Sequence, residues 1–137
     1  MKSVFVPAVF AAFVAFATPV EADPLDVRET IEAQLEAFRT GNADAAYALA
    51  GPKLQRMFPT PERFIRMVRR GYGPVYHAQS VVYLRSKAME GDGFAQEVGF
   101  TDNTGKSWTA LYTLAKQPNG EWRITGCYLR KADDQAA

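Results

Sequence analysis

The chain has 137 residues, with 16 lysines and arginines against 15 aspartates and glutamates and a net charge of +1. That balance gives no support for a nucleic-acid or anionic-membrane partner, which would call for a concentrated field of like charge. The single cysteine, Cys127, excludes an intramolecular disulfide, so the fold must rest on its apolar core.

The first residues carry an export signal. Lys2 gives a positive start, Val4 to Ala17 is apolar apart from Pro7, and Thr18-Pro19-Val20-Glu21-Ala22 supplies small residues at a cleavage site. Val20 and Ala22 fall at the −3 and −1 positions, so cleavage is predicted after Ala22. The apolar run is shorter than the roughly 20 residues a membrane span needs, so no stable insertion is expected after cleavage. No cysteine stands near the site for lipid attachment. The expected organisation is a secretory leader over 1–22, one domain over 23–131 and a flexible tail over 132–137. The expected location is the periplasm or the cell exterior. Lys2 and Glu21 leave together with the leader, so the net charge does not change.

Past the leader, helical signals come first. Asp23-Pro24-Leu25-Asp26 places a capping residue, then proline at the first helical position, then an acid in the first turn. Val27, Ile31, Leu35 and Phe38 share one helical face, and Gly41 is a stop, so a helix is predicted over 24–40. Asn42 caps a short alanine-rich helix over 43–50, Gly51-Pro52 ends it, and 53–58 adds a helical turn. Thr60-Pro61-Glu62 repeats the start signal for a helix to Arg70, whose apolar side is Phe64, Ile65, Met67 and Val68.

After Tyr72-Gly73-Pro74 the pattern turns to alternation. Strands are predicted over 75–87, 94–101, 107–116 and 121–130, separated by glycine- and asparagine-containing turns with hairpin chemistry. Short turns between successive strands imply an antiparallel meander, and helices followed by strands imply an α+β domain with the helices on one face of the sheet. Phe94, Gln96, Val98 and Phe100 are assigned to the inner face, with Glu97 on the outer one.

Four segments carry a family resemblance. They are Ile31-Glu32-Ala33-Gln34-Leu35-Glu36-Ala37-Phe38, Phe58-Pro59-Thr60-Pro61-Glu62-Arg63-Phe64 with Met67 to Tyr76, Trp108-Thr109-Ala110-Leu111-Tyr112, and Trp122 to Leu129. Together they resemble domain-of-unknown-function family 4864, among the nuclear transport factor-like, cystatin-like cone folds. The resemblance spans roughly Asp26 to Leu129. It implies a curved four-stranded antiparallel sheet wrapped around helices to leave a cavity. It implies no set activity, because the wider fold includes isomerases, cyclases, binding modules and dimerisation domains.

Each candidate site has a plain structural alternative. Gln34 falls inside the apolar stripe of the first helix, so its amide either meets a ligand or is satisfied internally. Tyr72, Tyr76, Tyr83, Trp108, Tyr112 and Tyr128 either line an amphipathic pocket or fill the sheet core. The pocket candidates are Gln34, Phe38, Tyr76, Trp108, Tyr112 and Tyr128. Arg63, Arg66, Arg69 and Arg70 form a basic helix face, either solvated or docking an acidic partner or anionic headgroup. His77 and Ser80, three apart on an extended segment, point to opposite faces and make a poor dyad. Cys127, inside an apolar run, reads as a buried inert thiol. No metal-ligand spacing or phosphate loop is present, so neither metal nor cofactor is expected. No acid is predicted to point into the cone, so the isomerase active site is not carried over and no catalytic residue is assigned.

These features favour an exported, non-catalytic module that binds a small apolar or amphipathic ligand or a protein chain, with a homodimer through the sheet as a further partner. The alternatives are a small cone-fold isomerase, lyase or hydrolase with a tyrosine-lined pocket, and a pure interaction or dimerisation domain.

Overall fold

The computed structural model describes residues 24–132; the expected leader, the expected Asp23 cap and residues 133–137 lie outside the described residues. Five helices precede four strands: α1 (Pro24–Arg39), α2 (Ala43–Ala48), α3 (Pro52–Met57), α4 (Pro61–Gly71) and α5 (Gly73–Tyr76), then β1 (Ser80–Ala88), β2 (Gly93–Thr101), β3 (Ser107–Lys116) and β4 (Trp122–Lys131). The strands form one antiparallel sheet in the order β1-β2-β3-β4. The helix-then-meander α+β architecture is therefore the one read from the sequence.

Local chemistry sets the helix ends. At the end of α1, Gly41 takes a φ of 67°, its N–H bonds to Phe38 O at 3.2 Å, and the Asn42 N–H reaches Ala37 O at 2.8 Å. This is the paired closure that a left-handed glycine permits. Asn42 Oδ1 accepts from Ala45 N at 3.1 Å to start α2, and Thr60 Oγ1 accepts from Arg63 N at 3.2 Å to start α4.

The first strand begins later than its sequence suggests. Residues 75–79 were expected to open β1, but 73–76 form α5 and the strand starts at Ser80. Pro74 sits in the first turn with φ already fixed for a helix. The N–H groups of Tyr76 and His77 then bond to Tyr72 O at 2.9 Å and Gly73 O at 2.8 Å, which outweighs the β preference of Val75 and Tyr76.

The core lies between α1 and the inner face of the sheet. Val27, Ile31, Leu35 and Phe38 of α1 are buried with Val98, Phe100, Ala110, Tyr112, Leu114 and Ile124. Phe94, Gln96, Val98 and Phe100 are all buried while their neighbours on β2 are partly exposed, as strict alternation requires.

Two irregularities interrupt that alternation. In β1 the register shifts between Tyr83 and Ser86, and in β4 it shifts so that Thr113 pairs with Gly126 while Leu114 pairs with Ile124. Thr125 is thus an extra residue, a bulge that bends the strand and reverses the facing of everything after it. At the same place the α2–α3 connection docks on the sheet edge. Ile124 N bonds to Leu49 O and Gly51 N bonds to Ile124 O, both at 2.8 Å.

Glycine fits closely there, since an added Cβ would lie 3.3 Å from Ile124 O. Gly51→Val should lower stability by about 1–3 kcal/mol through overpacking. Gly71→Ala, with open space around an added Cβ and no positive φ, should raise it by about 0.4–1 kcal/mol. Urea midpoints with unchanged slopes would check both signs.

Candidate functional site

Every layer of the fold contributes to one small recess between the helices and β4. From α1 come Gln34 and Phe38, from α3 Leu54, from α4 Phe64, Met67 and Val68. Tyr72 and Val75 close it from the α4–α5 region, and Tyr112, Ile124, Gly126 and Cys127 form its sheet wall. The volume is about 70 Å³. That is less than half of the roughly 150 Å³ that accommodates a benzene ring. The recess therefore suits a terminal apolar group and not a whole ring system.

Its polar groups are held neutral. Tyr112 and Cys127 are direct cross-strand partners, and both side chains line the recess. Burial pushes the Cys127 thiol up to about 12, against a smaller opposing effect from Tyr112. The Tyr112 hydroxyl is raised well above the usual tyrosine range, first by desolvation and then by the neighbouring Cys127. Tyr72 is raised as well, by desolvation first and then by the neighbouring Cys127 and Tyr128. All three groups keep their protons at neutral pH and present neutral donors to the recess. Gln34 is buried and spends one amide hydrogen on Ala46 O at 3.1 Å, joining α1 to α2.

Gln34, Phe38 and Tyr112 meet in this recess, and the other three pocket candidates do not. Tyr128 was assigned to the cavity, but it is 70% exposed on the outer face, paired with Leu111. The Thr125 bulge is the cause: it turns Cys127 and Leu129 inward and Tyr128 outward. Trp108 is half-buried at the far end of β3, where its indole N–H donates to Asp102 Oδ2 at 2.8 Å. Asp102 Oδ1 also accepts from Thr104 N at 2.8 Å, Thr104 Oγ1 at 2.7 Å and Lys106 N at 3.0 Å. These bonds, the Thr104 hydroxyl foremost and Trp108 next, hold the Asp102 carboxyl well below the usual range. Trp108 thus fastens the β2–β3 turn. Tyr76 packs against Phe38, ring centroids 5.6 Å apart, but faces a recess on the molecular surface.

Tyr83 serves as a clasp between α1 and β1. Its hydroxyl donates to Glu32 Oε1 at 2.6 Å, and the Arg28 guanidinium lies 5.2 Å from its ring centroid. Burial, then the Glu32 carboxylate, raises its hydroxyl. His77 follows α5 rather than opening a strand, and it is exposed. Glu97 lies on the outer face, 3.3 Å from Arg85. Among the described residues no group of three or more His, Cys, Asp or Glu side chains is placed to hold a metal ion.

The recess residues absent from the pocket candidates are Leu54, Phe64, Met67, Val68, Tyr72, Val75, Ile124, Gly126 and Cys127. Phe64, Met67 and Val68 belong to the predicted apolar side of their helix, and Tyr72 to the aromatic set. For Gly126 and Cys127 the one available signal was a glycine inside a strand, which often marks a bulge.

A family model for a domain of unknown function, DUF4864, matches residues 20–137. The chain belongs to the DUF4864 family. No curated protein matches it. Among solved structures, this DUF4864 chain is similar to a Streptomyces avermitilis protein of the NTF2-like family, provisionally named a dehydratase. The two share 11% identity at a TM-score of 0.48, over 80% of this chain and 95% of the other.

The chemistry of the recess fixes an expected reactivity. In the native DUF4864 domain at pH 8, Cys127 should resist a thiol reagent and react at the rate of global unfolding. Because its folded pKa is raised, the associated stability is complete below the unfolded thiol value near 8.5 and is lost as pH rises toward 12. Stability measured from pH 7 to 10.5 should fall at the alkaline end, and Cys127→Ala should flatten that fall. Immediate native labelling would show the thiol facing solvent.

Proposed function

We propose that this domain is an exported, non-catalytic binding module that seats a terminal apolar group of an amphipathic ligand or partner chain in the Tyr72–Tyr112–Cys127 recess. The observation that carries the reading is the neutrality of that recess. An apolar wall ends in two hydroxyls and a thiol, all uncharged at neutral pH and shifted further from ionisation by desolvation. Such a surface rewards neutral apolar surface and penalises an ion that has no counter-charge. Its volume of about 70 Å³ restricts the seated portion to a branched alkyl group or the end of a chain. The rest of the ligand would lie outside. Export rests on the leader at 1–22.

A second copy of the chain is a further partner, for a separate reason. Val82, Leu84, Leu111 and Tyr128 all stand exposed on the outer face of the sheet. Leu111 and Tyr128 are direct cross-strand partners, and Leu84 lies over the flat spot left by Gly99. These side chains form two apolar patches, one on each side of the Arg85–Glu97 pair, of the kind that pairs sheets face to face.

Native mass spectrometry on protein exported by its host and never refolded tests both parts. The expected spectrum shows a bound mass that leaves on collisional activation and is lost in Val68→Phe, which fills the recess. Gln34→Leu serves as a second variant should Val68→Phe fold poorly. The same spectrum should show a dimer for the native chain and a monomer for Leu111→Lys. A clean mass for the native protein would contradict the ligand reading, and a native monomer would contradict the pairing.

A further inference from the structure

Helix α4 presents a second recess on the side away from the tyrosine pocket. Phe64, Met67 and Val68 face inward, whereas Ile65, Arg66, Arg69 and Arg70 line an external concavity of about 590 Å³ together with Ala43, His77 and a single acid, Glu62. His77 also lines an adjoining concavity of about 620 Å³ that includes Phe38, Arg39 and Tyr76. The two form a trough on either side of the imidazole. We propose that this trough binds a small polyanion, a soluble molecule bearing a phosphoryl group or neighbouring carboxylates, through Arg66, Arg69, Arg70 and His77.

Three observations separate this site from a merely solvated basic face. First, it is concave, and its size lies within the roughly 300–1,000 Å³ range of small-molecule sites. A membrane surface or a long acidic chain would need an open plane instead. Second, its three arginines outnumber the one acid in the recess, Glu62, and none of them is paired with it. Among the described residues none of Arg66, Arg69 and Arg70 forms an ion pair, although Glu62 stands one turn before Arg66 in the favourable order. Arg66 and Arg70 are also one turn apart, so like charges crowd a single stripe of the helix at a cost to its stability.

Third, two of the four cationic or imidazole groups are held in place. The Arg69 guanidinium lies over the Tyr76 ring, 5.7 Å from its centroid. Tyr76 meets the His77 ring edge-on at 4.8 Å and 84°, and it is braced from behind by Phe38 at 5.6 Å. Stacking of this kind fixes a guanidinium while leaving its N–H donors free for an oxyanion. Arg63, the remaining arginine of the helix, does not line the recess. The site thus draws on part of the basic run, together with a histidine brought in by α5. A guanidinium fork donates to two oxygens of one phosphoryl or carboxylate group, and three forks in one recess match a ligand with more than one negative charge.

Isothermal titration calorimetry of the mature protein with inorganic pyrophosphate at low salt tests the assignment. Hexaglutamate and phosphatidylglycerol vesicles form parallel arms. Pyrophosphate should bind, and Arg66→Gln and Arg70→Gln should each weaken it about tenfold or more. Arg63→Gln should leave the affinity within about twofold of the native value. Thermal melts of the same variants should match or exceed that of the native protein, since each substitution relieves like-charge crowding. Absence of pyrophosphate binding would overturn the proposal. So would an equal loss in Arg63→Gln, or binding confined to hexaglutamate or to vesicles.

Discussion

Two backbone hydrogen bonds at Ile124 determine how this domain is put together. One runs from the Ile124 N–H to Leu49 O and the other from the Gly51 N–H to Ile124 O. They add the α2–α3 connection to the edge of β4 as a short parallel bridge, covering backbone groups that would otherwise be left open at a sheet edge. The contact falls beside the Thr125 bulge, where the ladder to β3 is already interrupted. Helical layer and sheet are therefore joined at the point where β4 changes facing. Behind that joint, Cys127 turns toward Tyr112, and the tyrosine recess opens between α4 and the strand.

Much of the architecture was legible because it depends on local rules. Proline at first helical positions, asparagine and threonine caps and a left-handed glycine at residue 41 placed α1 to α4, with shifts of a few residues at some ends. Alternation placed Phe94, Gln96, Val98 and Phe100 on the inner face. Gln34 was legible as a buried amide from its place on the helical wheel, and its internal bond to Ala46 O is the kind of satisfaction burial demands.

The illegible parts are non-local. Alternation carried through β4 assigns Tyr128 to the interior, and only the pairing partner reveals that Thr125 is extra. The bulge in β1 is equally silent in the sequence, although the buried Gln96 marks it in three dimensions. Its amide donates to Glu97 O at 2.9 Å and Arg85 O at 3.3 Å, covering carbonyls near the interrupted ladder. Trp108 looks like a cavity residue until the Asp102 carboxylate is seen to claim its indole N–H. His77 reads as a strand residue because nothing in Val75-Tyr76-His77 announces a helical turn except the proline before it.

The molecule consequently carries chemistry on both sides of α4. One side is small, apolar and neutral, and its hydroxyls and thiol are shifted further from ionisation by desolvation. The other is wide and basic, and its three helix arginines, Arg66, Arg69 and Arg70, form no ion pair among the described residues. The inner recess depends wholly on the facing that the bulge imposes on β4. The most direct test of that facing is a nuclear Overhauser measurement on uniformly labelled protein. Cross-peaks from the Cys127 β-protons to the rings of Tyr72 and Tyr112, with none from Tyr128 to Tyr112, are what this account predicts. Contacts from the Tyr128 ring to Tyr112 or Val68 would place Tyr128 inside and contradict it.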